Sequence, residues 1–165
     1  MNTAVIGFPR VGKLRELKFA SEKFFHQEIS EEELLAVAAE LRKEHWGFEK
    51  EAGIHYISSN DFSFYDGMLD TAVMLGAVPQ SYRGLGLSDL ATYFAMARGY
   101  QGDHGDVKAF PMKKWFNTNY HYMVPQLFDD MKLALSKNKL IGEYEEAKNA
   151  GILTKPVVIG PFTFL

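Results

Sequence analysis

The 165-residue sequence contains no cysteine. A disulfide scaffold, thiol catalysis and a zinc site built on thiolates are therefore excluded within these residues. Long hydrophobic runs are also missing, since the longest aliphatic stretch, Leu34–Ala39, is far shorter than the ~20 residues that a membrane helix requires. No basic segment precedes the first apolar run, so we expect no secretory signal, no membrane partner and a cytoplasmic location.

An excess of charge of one sign is also missing. The 18 Lys and Arg residues face 21 Asp and Glu residues, which gives a net charge of −3. This slightly acidic balance argues against nucleic acid as the main partner and leaves a local basic patch open. No repeat, low-complexity tract or linker divides the chain, so we expect residues 1–165 to form one domain with one core.

The most distinctive local signal is a capping box, in which Ser30 is followed three residues later by Glu33. Apolar residues at helical spacing continue from there to Gly53, which predicts a long helix. The same reasoning predicts helices over residues 14–25, 68–75, 90–97 (with Ser88 as N-cap) and 140–150, strands over 4–8, 54–57, 114–122 and 156–160, and a flexible loop over 99–105.

The order of these elements predicts an α/β fold, because strands that alternate with helices favour right-handed crossovers and a parallel sheet. About four βα units fill the sequence, which then stops at Leu165 directly after a strand. A natural domain rarely ends in this way, since the sheet would lack a covering helix. We therefore expect a truncated chain that forms the first half of a (βα)8 TIM barrel, with unpaired edges that make the fragment self-associate.

Three cations crowd the start of the first predicted helix, namely Lys13, Arg15 and Lys18. The helix dipole favours anions there, and each misplaced cation loses roughly 0.3–1 kcal/mol. One interpretation is a solvated amphipathic start, in which acidic neighbours such as Glu16 pair with the cations. The other is a bound polyanion, because Arg15 and Lys18 share a helix face. Lys114, at the start of the third predicted strand, is a further cation for such a site.

Polar residues that follow the strands are the other candidates, because ligands of parallel α/β folds bind at the carboxyl ends of the strands. Arg10 has two equal interpretations, a contact to substrate or an ion pair that pins its loop to a carboxylate such as Asp61. Asn117 and Asn119 fit residues that organise loops and strand ends by hydrogen bonds better than they fit substrate ligands. His121 fits a packed or hydrogen-bonded structural histidine, and the alternative is a position that faces the mouth of the barrel. The sequence contains no phosphate-loop or dinucleotide glycine motif, and its histidines lack metal-ligand spacing.

The sequence closely resembles the amino-terminal half of the cobalamin-independent methionine synthase family. Three motifs carry the resemblance in order, GFPRVGKLRELK at residues 7–18, KWFNTNYHYMVP at 114–125 and KPVVIGPFTFL at 155–165. Two shorter segments, HWGFEKEAGI at 45–54 and DFSFYD at 61–66, fit the same order, so the resemblance covers nearly the whole chain. Gln126 departs from the family, which usually has Glu after the Val-Pro pair.

This resemblance implies a methyltransferase that moves the N5-methyl group of 5-methyltetrahydropteroyltriglutamate to homocysteine and so forms methionine without cobalamin. It implies two face-to-face barrels, with zinc, the homocysteine site and the catalytic histidine in the carboxy-terminal barrel. That barrel lies outside this chain, so no catalytic or metal-ligating residue is assigned here and the isolated fragment is expected to be inactive.

Within this chain, the resemblance assigns a set of residues to the polyglutamate tail of the folate: Leu14, Arg15, Glu16, Leu17, Lys18 and Lys114. The assignment agrees with the cluster of cations noted above and favours the polyanion interpretation. A non-catalytic anion-binding α/β fragment remains the alternative function. An α/β domain unrelated to the family is the third hypothesis.

Overall fold

The structure is a computed structural model that describes residues 2–165. Its elements follow one another as α1 (Glu16–Phe25), α2 (Glu31–Glu51), β1 (Ile57–Ser59), α3 (Gly67–Met74), α4 (Gln80–Arg83), α5 (Asp89–Arg98), β2 (Tyr100–Gly102), β3 (Gly105–Val107), β4 (Met112–Lys114), β5 (His121–Met123), α6 (Lys139–Asn149), β6 (Thr154–Pro156) and α7 (Pro161–Phe164). They form two compact units, the first of residues 2–64 and 139–158 and the second of residues 65–138 and 159–165. Each unit mixes helices with a small sheet, which agrees with the predicted α/β class, while the half-barrel remains a prediction.

The first unit contains a parallel sheet of β1 and β6, in which Ile57 lies opposite Thr154. Both strands are displaced from their predicted positions. β1 begins at Ile57, because Ile54 instead donates its N–H to the Glu49 carbonyl and so completes the end of α2. β6 lies at residues 154–156, before the predicted range of 156–160. The parallel direction is the one that alternating strands and helices predict.

The first predicted strand, residues 4–8, is wrong except for one parallel bridge between Ala4 and Tyr56. Ile6 is 83% exposed, so this apolar run is not buried on both faces. Phe8 makes side-chain interactions instead of a strand ladder. Its N–H donates to a carboxylate oxygen of Asp61 at 2.8 Å, and its ring stacks on His45 with the centroids 4.5 Å apart.

Helix α2 begins at the predicted capping box. The Ser30 hydroxyl accepts the Glu33 N–H at 3.2 Å, and a Glu33 carboxylate oxygen accepts the Ser30 N–H at 2.7 Å. Near its other end α2 is joined to β1. The Trp46 indole N–H donates to the Ser58 carbonyl, while the buried Glu49 carboxylate accepts both the N–H and the hydroxyl of Ser58. These bonds leave the buried polar groups of β1 satisfied.

The second unit contains two antiparallel hairpins, both of which correct the predictions. Residues 99–105 are not a flexible loop, because Tyr100–Gly102 pairs with Gly105–Val107. Residues 114–122 are not one strand, because Met112–Lys114 pairs with His121–Met123. The turn between them is closed by the Trp115 N–H, which donates to the Tyr120 carbonyl at 2.7 Å. The Asn-Thr-Asn stretch in that turn is typical turn chemistry, which the alternating aromatic pattern concealed.

Two helices of the second unit begin at a residue whose side chain caps the helix, and one of these caps was predicted. Ser88 accepts the Ala91 N–H at the start of α5, as the sequence indicates. Asp66, which was not predicted, accepts the N–H groups of Met68 and Leu69 at the start of α3.

Helix α6, in the first unit, agrees with its predicted range to within one residue at each end. Among residues 2–165 there is no helix long and apolar enough to cross a membrane.

Candidate functional site

The segment before α1 is a tight turn with a left-handed backbone at two positions. Gly12 has φ 84° and Arg15 has φ 65°, and the Arg15 N–H donates to the Gly12 carbonyl at 3.2 Å. The Leu17 N–H donates to the Val11 carbonyl, also at 3.2 Å. A side chain at Gly12 would collide with the Glu16 carboxylate and with Leu41, so this turn requires glycine there. The turn therefore fixes the backbone from which Arg15 projects.

Two of the five predicted residues in this segment have structural roles. Leu17 is 5% exposed and packs with Ala38, Leu41 and Phe62. Glu16 is the first residue of α1, and its carboxylate accepts the Leu14 N–H at 2.9 Å. An acidic residue in this position complements the positive end of the helix dipole. Glu16 thus stabilises the turn and is not a group that would attract an anion.

The other three residues of the segment are exposed. Leu14 is 74% exposed, and Arg15 and Lys18 also lie at the surface. Lys18 lies 3.8 Å from the Glu22 carboxylate and its ammonium is 5.8 Å from the centre of the Phe19 ring. An exposed pair at this distance contributes little to stability, so Lys18 can exchange Glu22 for a ligand carboxylate at small cost. Lys18 lies in the first turn of α1, whereas Arg15 is the N-cap residue with a left-handed backbone and so precedes the helix. The two cations are therefore close in sequence, but they do not occupy successive turns of one helix face as predicted.

Lys114 belongs to the second unit, where it ends β4 opposite His121 and is exposed. Its participation in one site with Arg15 and Lys18 therefore remains a prediction. His121 is also exposed, and its Nδ1 lies 2.9 Å from the Asn119 carbonyl oxygen. Asn117 lies in the exposed turn of the same hairpin. The contact of His121 fits a hydrogen-bonded histidine, while the roles of Asn117 and Asn119 remain predictions.

The structural roles of Asn60 and Asp61, which follow β1, were not predicted from the sequence. Asn60 has φ 59°, and Asp61 accepts the Phe8 N–H. Both residues were among the polar groups that follow a strand, which was the signal available in the sequence. The predicted pairing of Arg10 with Asp61 stays a prediction.

Residues 11–18, the turn before α1 and the first residues of that helix, are called the cationic turn below. A cleft of about 450 Å³ lies beside this turn in the first unit. Its charged residues are Glu16, Glu40 and Glu44, and its apolar residues are Ala36, Val37 and Leu41. Three carboxylates repel an anion, so this cleft is unsuited to a polyglutamate tail. An anion bound near this turn would instead contact the exposed cations Arg15 and Lys18.

Burial shifts the pKa values of three groups in the first unit. Burial lowers the pKa of His45, and it raises the pKa values of Glu49 and Glu143. Glu143 pairs with Lys139 at 2.8 Å, an interaction that opposes the rise. In residues 2–165 no three or more His, Asp or Glu side chains are grouped so as to hold a metal ion. The described residues therefore do not fit a zinc ion.

The fold and the motifs define a member of a known family. The family described as "Cobalamin-independent synthase, N-terminal domain" matches residues 2–165, and the chain belongs to this family. The chain is 58% identical over its whole length to a protein named 5-methyltetrahydropteroyltriglutamate–homocysteine methyltransferase from Streptococcus pneumoniae serotype 19F (strain G54). Proteins of the same name from Streptococcus gordonii and Streptococcus thermophilus are 58% and 56% identical. The chain spans 22% of the length of each of these relatives.

Proposed function

We propose that this chain is the amino-terminal part of a methyltransferase that moves the N5-methyl group of 5-methyltetrahydropteroyltriglutamate to homocysteine. Membership of the family and the names of its relatives support this proposal. In this proposal the chain forms the first half of an amino-terminal TIM barrel in a cytoplasmic enzyme. Zinc, on ligands outside residues 1–165, would hold homocysteine as a thiolate, and the methyl transfer would take place there.

The role we assign to this segment is to bind the polyglutamate tail of the folate. The observation that carries the assignment is the pair of exposed cations, Arg15 and Lys18, on a turn whose backbone is fixed by Gly12. A tail with several carboxylates requires separated cations, and Lys114 would supply a third. The main chain of the turn positions Arg15 and Lys18, while Glu16 and Leu17 hold the turn to the rest of the first unit.

The expected strength of this site is modest. Each partly exposed ion pair contributes about 0.2–1 kcal/mol, so three pairs together give at most about 3 kcal/mol. Such a contribution corresponds to a dissociation constant in the millimolar range if the tail bound alone. The tail site therefore selects and anchors long-tailed folates, while the pterin and the reacting methyl group are bound elsewhere.

The test compares folates with one and three glutamyl residues in the full-length protein. Arg15→Gln and Lys18→Gln should each weaken the triglutamyl form by about 1.4- to 5-fold and leave the monoglutamyl form unchanged. Lys23→Gln is the matched control, because it removes the same charge from the last turn of the same helix. The difference between the two folates should shrink as salt is added. Equal weakening of both folates, or an equal effect of Lys23→Gln, would contradict the assignment.

A further inference from the structure

Asn60 directly follows β1 and has a left-handed backbone, a conformation that asparagine adopts more readily than most residues. Its φ of 59° lies in the left-handed region, which a non-glycine residue adopts when neighbouring groups fix it there. Its N–H donates to the Glu143 carboxylate at 2.7 Å, and its side-chain amide donates to the Val157 carbonyl at 2.7 Å. The Lys139 ammonium donates to its side-chain oxygen at 3.1 Å. The direction in which the chain leaves β1 is therefore fixed by three bonds.

The residue that this geometry directs is Asp61. A carboxylate oxygen of Asp61 accepts the Phe8 N–H at 2.8 Å. Gly7 permits the approach, since a Cβ on Gly7 would lie 3.3 Å from the Asp61 Cβ and 3.4 Å from its Oδ2. The Phe8 ring is further held by stacking on His45. Asp61, two residues after β1, is thus the polar group that anchors the segment leading to α1.

Little freedom remains between Phe8 and the cationic turn. Pro9 has a restricted φ, and the carbonyl oxygens of Val11 and Gly12 already accept the N–H groups of Leu17 and Arg15. Movement of Phe8 would therefore be transmitted to the turn within a few residues. The described contacts form a continuous connection from the end of β1 to the start of α1.

We propose that Asp61 is a positioning residue for folate-tail recognition, because its bond to Phe8 orients the turn that presents Arg15 and Lys18. This inference rests on the proposed function of that turn. It assigns to Asp61 a part in selecting the length of the tail, although Asp61 itself would not touch the tail. The hydrogen-bond acceptor is the feature that matters, since the donor is an uncharged main-chain N–H.

The experiment measures tail discrimination, defined as the dissociation constant for the monoglutamyl folate divided by that for the triglutamyl folate, in the full-length protein. Asp61→Ala should reduce this ratio by about 1.4- to 5-fold, the contribution of one exposed ion pair. Asp61→Asn keeps an acceptor oxygen and should retain most of the ratio. Glu33→Ala is the matched control, because it also removes a carboxylate that accepts one main-chain N–H. That hydrogen bond, from the Ser30 N–H, is 2.7 Å long. Glu33→Ala should leave the ratio unchanged.

A triple variant tests whether Asp61 acts through the turn. If it does, Asp61→Ala combined with Arg15→Gln and Lys18→Gln should reduce discrimination no further than those two glutamines do alone. An additive loss would overturn the inference, as would an Asp61→Ala protein that binds both folates equally weakly or discriminates normally. If the two glutamine substitutions leave discrimination intact, the proposed function itself fails. Should Asp61→Ala not fold, Gly7→Ala crowds the same contact between Asp61 and Phe8. A reduced tail-discrimination ratio in Gly7→Ala would then support the inference, and an unchanged ratio would overturn it.

Discussion

Asp66 is a carboxylate with no exposed surface, and its two oxygens join different elements of the second unit. Oδ1 accepts the N–H groups of Met68 and Leu69, at 2.8 and 3.0 Å, and so caps α3. Oδ2 accepts the buried N–H of Met123 at the end of β5, at 3.1 Å. Replacement of Asp66 by alanine should therefore destabilise the helix start and the hairpin together.

The size of the effect follows from these two roles. Loss of an N-cap costs about 0.5–2 kcal/mol. An N–H that remains buried without a partner, here that of Met123, costs about 1–3 kcal/mol. Burial raises the pKa of Asp66, which shows that the charged form is disfavoured, and relief of that penalty offsets part of the loss. We expect Asp66→Ala to lower the free energy of unfolding by about 2–4 kcal/mol.

Asp66→Asn separates the two roles, because its oxygen can still cap α3 while its amide group cannot accept the Met123 N–H. Its loss should be about 1–3 kcal/mol, from the unsatisfied N–H alone. Ser88→Ala is the control, since Ser88 caps α5 by one exposed bond, and it should cost about 1 kcal/mol. Urea unfolding followed by circular dichroism measures all three variants, and hydrogen exchange at Met123 reports the hairpin. If Asp66→Ala costs no more than Ser88→Ala, the reasoning from buried contacts is wrong.

Two further predictions concern acid sensitivity and assembly. Burial lowers the pKa of His45 from its ordinary 6.5, so the unfolded chain takes up a proton first as pH falls. The stability that His45 contributes is therefore present above pH 6.5 and lost as pH falls towards the lower pKa of the folded state. A plot of unfolding free energy against pH should be flatter for His45→Phe, and parallel plots for the two proteins would refute this. The isolated 165-residue chain should self-associate, because Ile6 is 83% and Phe162 is 97% exposed; sedimentation that finds only monomer at high concentration would contradict the prediction.

Features encoded within a few residues could be predicted from the sequence. The Ser30 capping box and the Ser88 cap have side chains that bond main-chain groups three residues away, and both lie where the sequence indicates. Strand positions depend instead on partners distant in sequence. Residues 4–8 have the composition of a buried strand, yet only Ala4 pairs with another segment. Composition cannot specify that partner, and so the strand was predicted too long.

In the candidate site, too, local features could be predicted from the sequence and features that depend on distant contacts could not. Arg15 and Lys18 are visible in the sequence because cations at a helix start oppose the helix dipole. Glu16 and Leu17 could not be separated from them, since their roles as a turn acceptor and a core residue depend on contacts in three dimensions. Asp61 was predicted as one of the polar groups that follow a strand and as a possible partner for Arg10, because nothing local indicates that its carboxylate would accept the Phe8 N–H.

The sheet of the first unit has a consequence for the order of folding. Its two strands are separated by almost the whole second unit, and the Asn60–Val157 bond spans 97 residues. Closing a flexible loop of that length, compared with one of about ten residues, costs about 2 kcal/mol more in chain entropy. The α1–α2 pair, adjacent in sequence, avoids this penalty and can form early. Docking of β6 onto β1 should therefore be a late event, and the hydrogen bond from the Asn60 side chain to the Val157 carbonyl forms only then.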